Sequence, residues 1–480
     1  MLIDIFDKEG YGMTLSPRKF FSPAAMVPEN RRLGPLPKTT EVMQEVVRLA
    51  GPAVAETVLV SIISSVDSMM VSSMGPAAIA AVGITDQPRM IVLAAINSLN
   101  AAVTTIVARR KGQDDRDGAN RCLTQALIVC LALVLVVGSL SFAFARPILL
   151  FAGAQPDVID MGVTYFRIIL VGIFFTALSL TMTAAQRGCG NTRISMVTNM
   201  TANVVNVIFN YLLIGGNFGF PRMGIAGAAL ATSIGNFVSF CMALRSVTRP
   251  GGFLHLHLLQ KWSFDKETMK NILNIGSGTM MEQVCARVGF FMNAKAIAGL
   301  GTIPYATHLI CMHVVNLSFS IGDGLSIAAS SLVGQNLGKE RSDLSQIYGK
   351  ISQRVAFCFS LLLSAVFLIF KFPIIRLFST EPEVLALGDK VMYFTAVVCL
   401  VQISQVVFSG CLRGAGDTKY IAVVSFLSVT LLRPGLTWFF AYPLGWGLIG
   451  AWTAFLIDQC IRFILTYIRF SSGRWANIKF

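Results

Sequence analysis

Residues 123–145 read LTQALIVCLALVLVVGSLSFAFA, a run without a single charged side chain. A helix rises 1.5 Å per residue, so about 20 apolar residues cross a hydrocarbon core of roughly 30 Å. Comparable runs lie at 355–370 and 391–408. Their residues lack the period-2 alternation of a membrane β-barrel, and lipid cannot satisfy free backbone groups, so helices are expected. Composition agrees: 54% of the 480 residues are hydrophobic and 13% charged, against roughly 25% charged residues in a soluble domain.

Working outward from these runs, the chain divides into twelve expected spans. The first six lie at 46–72, 87–108, 122–145, 160–186, 193–214 and 223–244. The second six lie at 268–299, 304–333, 351–371, 389–412, 418–441 and 447–470. The fold class is therefore an all-α polytopic membrane protein. An even number of spans puts both termini on one side, and that side collects most of the Lys and Arg, with Arg109, Arg110, Lys111, Arg116 and Arg121 in the densest loop. Positive residues accumulate in cytoplasmic loops, so both termini are expected in the cytoplasm. The net charge of +14 then reports topology, not nucleic-acid binding, and it needs no anionic-lipid site to explain it.

Residues 1–45 are rich in Pro, Lys, Arg and acidic residues and lack the apolar run of a signal peptide. They are expected to be a mobile cytoplasmic extension. Ten cysteines fall mostly inside spans without a C-x-x-C pair, which points to small buried apolar residues. Neither H-E-x-x-H nor another metal-ligand spacing occurs. Gly334-Gln335-Asn336-Leu337-Gly338-Lys339 is one residue short of a phosphate loop and continues into Glu340. It closes a span, not a strand, so no nucleotide is expected.

The chain also repeats itself. Gln186-Arg187-Gly188-Cys189-Gly190-Asn191-Thr192-Arg193 aligns with Leu412-Arg413-Gly414-Ala415-Gly416-Asp417-Thr418-Lys419, 226 positions on. The same offset sets Glu56 on Glu282, Gly75 on Gly301, Val107 on Val333 and Gly112 on Gly338. Gly224-Ile225-Ala226-Gly227-Ala228 resembles Gly447-Leu448-Ile449-Gly450-Ala451 at an offset of 223. Six spans per repeat give both halves one orientation, as in transporters built from parallel repeats about an axis along the membrane normal. The expected parts are an N-terminal lobe at 46–245, a cytoplasmic linker at 246–267, a C-terminal lobe at 268–470 and a cytoplasmic tail at 471–480. The linker holds Arg249, Pro250, Gly251, Gly252 and Lys261, and His255 and His257 also fall in it. Two pseudo-symmetric six-helix lobes facing each other enclose a cleft that rocking would open to alternate sides.

Several segments resemble the multidrug and toxic compound extrusion (MATE) transporters. Ser65-Val66-Asp67-Ser68-Met69-Met70 is similar to the family's V-D-T segment. Ser326-Ile327-Ala328-Ala329-Ser330-Ser331-Leu332-Val333-Gly334-Gln335-Asn336-Leu337-Gly338 resembles its S-x-A-A-x-x-L-V-G-Q-N-L-G signature, and both R-G-x-G-[ND]-T segments fit. The resemblance runs over about residues 40–470. It implies secondary active export of amphipathic, often cationic small molecules in exchange for H⁺ or Na⁺, with no other cofactor.

Charges inside a membrane are expensive and mark function by default. Asp67 lies in the outer half of the first span, and Asn206 and Asn210 lie in the outer half of the fifth. Being four apart, the two amides share a helix face. Thr232 on the sixth span lies at a comparable depth or somewhat deeper. These oxygen donors suit a hard cation, and the resemblance implies that the four positions form an N-lobe cation site. One family pattern has Asp where this chain has Asn210, so a charge is missing. The carboxylate can instead take a proton, because desolvation disfavours its charged form.

Glu282, near mid-membrane on the seventh span, matches a family acid assigned to cation or substrate. Gln402 stands on the tenth span where some members carry an acid, so two carboxylates are not expected in the C-lobe. Glu56, eleven residues before Asp67, shares its helix face and is an accessory candidate. Arg433 and Asp458 on the last two spans read as a structural ion pair. Met69, Phe291 and Met292 are candidates for an adaptable drug cleft. An intramembrane enzyme would need a nucleophile–base or metal cluster, and none is visible. A channel is disfavoured by the repeat with buried acids. A lipid-linked precursor flippase would want a basic cavity for pyrophosphate, whereas Asp67, Glu56 and Glu282 predict an acidic one and cationic cargo.

Overall fold

The structure is a computed structural model describing residues 20–72, 74–156, 158–256 and 264–478. Among them, twelve long helices follow one another. The first lobe holds α1 (Thr39–Ser72), α2 (Pro76–Gly112), α3 (Arg116–Ala143), α4 (Ile159–Gly188), α5 (Thr192–Gly215) and α6 (Gly224–Thr248). The second holds α7 (Lys266–Ala298), α8 (Thr302–Gly338), α9 (Ser342–Ile369), α10 (Pro382–Gly414), α11 (Thr418–Ala441) and α12 (Gly447–Ser472). Eleven are long and apolar enough to cross a membrane. The exception, α7, carries Glu282, Arg287 and Lys295 along its 33 residues. Arg109, at the end of α2, donates to the Ile478 carbonyl at 2.8 Å, and Arg341, just after α8, donates to the Pro35 carbonyl at 3.1 Å, so the segments flanking α1 and α12 share one side, here the terminal side.

Three boundaries move. The helix α2 begins at Pro76, not at 87, with Gly75 at φ +101° turning the chain ahead of it. It runs through Pro88, and Asp86 and Arg89 tolerate the helix by pairing one turn apart at 3.4 Å. Next, the extension expected to be mobile is in part docked. The helix α1 starts at Thr39, and Met26 and Val27 are buried in the C-lobe core. Lys350 Nζ donates to the Met26 carbonyl at 2.8 Å, and the Leu33 N–H donates to Asp343 Oδ2 at 3.1 Å. Residues 1–19 lie outside the described residues, as do His257 and Lys261 in 257–263. Finally, Val42, Val46 and Leu49 of α1 also belong to the C-lobe core, so the start of the first span serves the opposite lobe.

The lobes meet at the terminal side through small residues, which let backbones approach closely. A Cβ on Gly112 would stand 1.9 Å from the Gln335 carbonyl oxygen, and one on Gly338 would stand 2.1 Å from that of Arg109. The crossing is two-fold in character. Thr105 Oγ1 donates to the Arg413 carbonyl at 2.9 Å, and Ser331 Oγ, 226 positions after Thr105, donates to the Arg187 carbonyl. Gln335 Nε2 adds a bond to the Gly188 carbonyl at 2.8 Å. The repeat segments Arg187-Gly188 and Arg413-Gly414 thus close the terminal side of the cleft.

Candidate cation site and central cavity

The helices α1, α5 and α6 bring Asp67, Asn206, Asn210 and Thr232 together. Asn210 Nδ2 donates to Asp67 Oδ1 at 2.9 Å. One atom of the Asn206 amide lies 2.8 and 3.0 Å from the two Asp67 oxygens, and the other lies 3.0 Å from Thr232 Oγ1. With nitrogen toward Asp67, Asn206 donates to an ionised carboxylate. That orientation also lets the Asn206 oxygen accept from Thr232 Oγ1, so both ends of the amide are satisfied. Among the described residues, Asn210 Oδ1 is buried without a hydrogen-bond donor. The donor set therefore fits either ion: one carboxylate, amide oxygens and a hydroxyl, with an acceptor to spare.

Glu56 faces the same helix bundle. Its Oε1 accepts from Ser195 Oγ at 3.0 Å and Asn199 Nδ2 at 2.5 Å, and stands 3.6 Å from Arg187 Nη1. Glu282 repeats the pairing in the other lobe, 3.7 Å from Arg413 Nη2. Glu282 lies 226 positions after Glu56, and Arg413 lies 226 positions after Arg187. Glu–Arg pairing is thus built once per lobe, beside the helix ends that close the cleft.

A cavity of about 490 Å³ lies between the lobes. Its charged wall consists of Arg187, Glu282, Arg287, Asp323, Arg413 and Arg462. The expectation of an acidic cavity is therefore corrected. Asp67 and Glu56 are not among its lining residues, because both turn toward α5 within the N-lobe. Gln402 is also absent from the wall. Its Oε1 is taken by Ser318 Oγ at 2.9 Å, and Gln405 stands at the cavity instead. The aromatic lining residues are Phe290 and Phe319, whereas Met69, Phe291 and Met292 are exposed away from it.

Arg433 and Asp458 do form the expected pair. Arg433 Nε stands 3.0 Å from Asp458 Oδ2, and both residues are at most 2% exposed. Two partners were not anticipated from sequence: Arg462 Nη2 shares the carboxylate at 3.2 Å, and Ser428 Oγ donates to Asp458 Oδ1. Asp323 and Arg287 also escaped notice, although the rule that singled out Asp67 covers any charge inside a span.

The MatE family model matches residues 52–212 and again 279–439, once per lobe. The "Probable multidrug resistance protein NorM" of Thermotoga maritima is 26% identical over 92% of this chain and 95% of its own. The "Multidrug resistance protein PmpM" of Pseudomonas aeruginosa is 26% identical over 89% and 92%. A multidrug resistance MATE transporter of the MOP superfamily, solved facing outward, superposes with a TM-score of 0.84 at 20% identity, covering 90% of this chain and 97% of that one. Two matches to one family, each on a six-helix lobe, cover most of the membrane part, and the chain belongs to the MatE family of multidrug and toxic compound extrusion transporters.

Proposed function

We propose that the protein is a secondary active efflux antiporter, exporting amphipathic small molecules across the cytoplasmic membrane in exchange for H⁺ or Na⁺. Both termini then face the cytoplasm, as the Lys and Arg distribution supports. The observation that carries the reading is the Asp67 cluster, a membrane-embedded carboxylate on α1 met by the amides of Asn210 at 2.9 Å and Asn206 at 2.8 and 3.0 Å, where a charge inside a span marks function by default. Cation entry from the outer side and cargo in the central cavity then compete through the two arrangements of the lobes. The resistance proteins of Thermotoga maritima and Pseudomonas aeruginosa support multidrug cargo.

The test uses purified protein in liposomes, corrected for mixed orientation, and a fluorescent amphipathic dye. An imposed pH gradient and a Na⁺ gradient of equal size are applied separately. Dye movement is expected under one of them and is expected to vanish in folded Asp67→Asn protein. Normal transport by that variant would remove Asp67 from the coupling path. No movement under either gradient would contradict the antiporter.

One observation favours a second reading, a lipid-linked precursor flippase: four arginines line the cavity. Arg187 and Arg413 face Glu56 and Glu282, however, and Arg462 faces Asp458. The positive charge is thus largely matched. Strong competition by polyanions against dye would reverse the ranking.

A further inference from the structure

The helices α1 and α5 pack side by side, both starting at the terminal side, and one contact is built on them twice. Asn210 Nδ2 donates to Asp67 Oδ1 at 2.9 Å, and Asn199 Nδ2 donates to Glu56 Oε1 at 2.5 Å. The partners lie 143 positions apart in both cases, so the two helices keep register from one contact to the other. On each helix the contacts are separated by about 16 Å of rise. Between them α5 carries Asn203 and Asn206. At about 100° per residue, the amides at 199, 203, 206 and 210 form one narrow stripe. Asn203 is half-buried and has no side-chain partner among the described residues. The C-lobe has no such stripe, because the offset of 226 sets Ser425 on Asn199 and Val429 on Asn203.

The contact nearer the terminal side is incomplete. Glu56 is 6% exposed, and among the described residues its Oε2 is buried without a hydrogen-bond donor. Its Oε1 alone takes Ser195 and Asn199 and faces Arg187 at 3.6 Å. A buried carboxylate oxygen without a donor costs stability, and a carboxylate inside a span marks function by default. Arg187 is held in place from the opposite lobe, because Ser331 Oγ donates to its carbonyl. Parting the lobes at the terminal side breaks that bond and loosens the guanidinium that covers Glu56.

We infer that Glu56 is a second station for the exchanged cation, which passes from Asp67 along the asparagine stripe of α5 to Glu56 and leaves from there to the terminal side. The amide oxygens of Asn206, Asn203 and Asn199 offer stops to Na⁺ or to a hydronium ion. Arg187 neutralises Glu56 while the terminal side is shut and yields it when the lobes part. The inference rests on the antiport reading and adds the route of its ion.

The experiment compares full-length wild type with Glu56→Gln, Glu56→Asp and Asn203→Leu in liposomes and in detergent, using a fluorescent amphipathic dye. Under whichever of the H⁺ and Na⁺ gradients drives wild type, Glu56→Gln and Asn203→Leu should each slow dye transport about tenfold or more. Glu56→Asp keeps the carboxylate and should retain more than about half of the rate. Dye affinity in detergent should stay within about twofold in all three. Exchange of dye for dye without a gradient, which needs the lobes to rock but no net passage of the cation, should persist in all three. A merely structural Glu56 would lose that exchange together with the driven transport, and a structural reading of α5 gives Asn203→Leu no effect, since it removes no bond. Variants are compared only where size-exclusion profiles match wild type, and Asn203→Leu carries the test if Glu56→Gln does not fold. Normal driven transport by Glu56→Gln or Asn203→Leu, or loss of dye exchange in either, overturns the route and leaves the antiport reading standing. Failure of wild type to move dye under either gradient overturns both.

Discussion

At the same depth, the two lobes carry opposite solutions to one problem. In the N-lobe, Asn210 on α5 donates to Asp67 on α1 at 2.9 Å. In the C-lobe, Thr437 on α11 donates to Asn293 on α7 at 2.8 Å. The first pair is 143 residues apart and the second 144. The extra residue falls in the π-helical stretch Phe426–Leu432 of α11, which shifts the repeat offset from 226 to 227. With that shift Arg433 stands where Asn206 does, and Asn293 where Asp67 does. The N-lobe thus offers a carboxylate with amide partners and, among the described residues, no protein cation in contact. The C-lobe replaces that carboxylate by an amide and supplies its own guanidinium, anchored on Asp458. The difference teaches that one scaffold can hold either an exchangeable cation or a fixed one. On the proposed antiport mechanism, the lobe without a fixed cation is the one expected to drive exchange.

The largest expected effect breaks the C-lobe side. Arg433→Ala should lower stability by about 3 kcal/mol or more, because it removes the main partner of a buried carboxylate. Arg433→Ala combined with Asp458→Ala should be no worse than either alone. Thermal unfolding of the solubilised protein reads this, and additive losses would dissolve the pair. Asp67→Asn should shift stability by less than about 1 kcal/mol in the same assay, since the amide remains hydrogen-bonded. A collapse of that variant would mean that the N-lobe cluster is structural too.

A smaller effect sharpens the N-lobe side. Asn210→Asp restores a second carboxylate beside Asp67 and should raise Na⁺ affinity roughly tenfold, measured by displacement of radioactive sodium. Unchanged affinity would place the ion away from Asn210. Smallest of all, Thr437→Ala should cost about 1 kcal/mol of stability through one neutral hydrogen bond and leave gradient-driven dye transport intact. Loss of coupling there would give the C-lobe a role that the comparison denies it.

How much of this could be read from the residues follows from what a single chain displays. Long apolar runs such as 123–145 reveal spans because lipid imposes a length, and the repeated R-G-x-G-[ND]-T segments reveal the lobes. Asp67, Asn206, Asn210 and Thr232 were legible because each is polar at a matching depth, and Arg433 and Asp458 because each is a lone charge near mid-membrane. The start of α2 was hidden by Asp86, Pro88 and Arg89, which look like a loop until the ion pair within the helix is seen. Docking of Met26 and Val27 was hidden because a Pro-rich segment gives no periodicity. The cavity's polarity was misread because pairing between helices decides it. Glu56 and Glu282 look like free acids in sequence and face Arg187 and Arg413 in space. The correspondence of Asn206 with Arg433 was hidden by the single inserted residue in α11.

The most direct measurement of the central claim is cation release on cargo binding. Dye is added to detergent-solubilised protein in weakly buffered solution, and released protons are followed by pH and released sodium by radioactive displacement. Linkage requires that an antiporter's cargo and cation weaken each other's binding. Wild type should release one of the two ions as dye binds. Asp67→Asn should bind the dye and release neither. Equal release from wild type and Asp67→Asn would contradict the account and move the exchangeable cation out of the N-lobe.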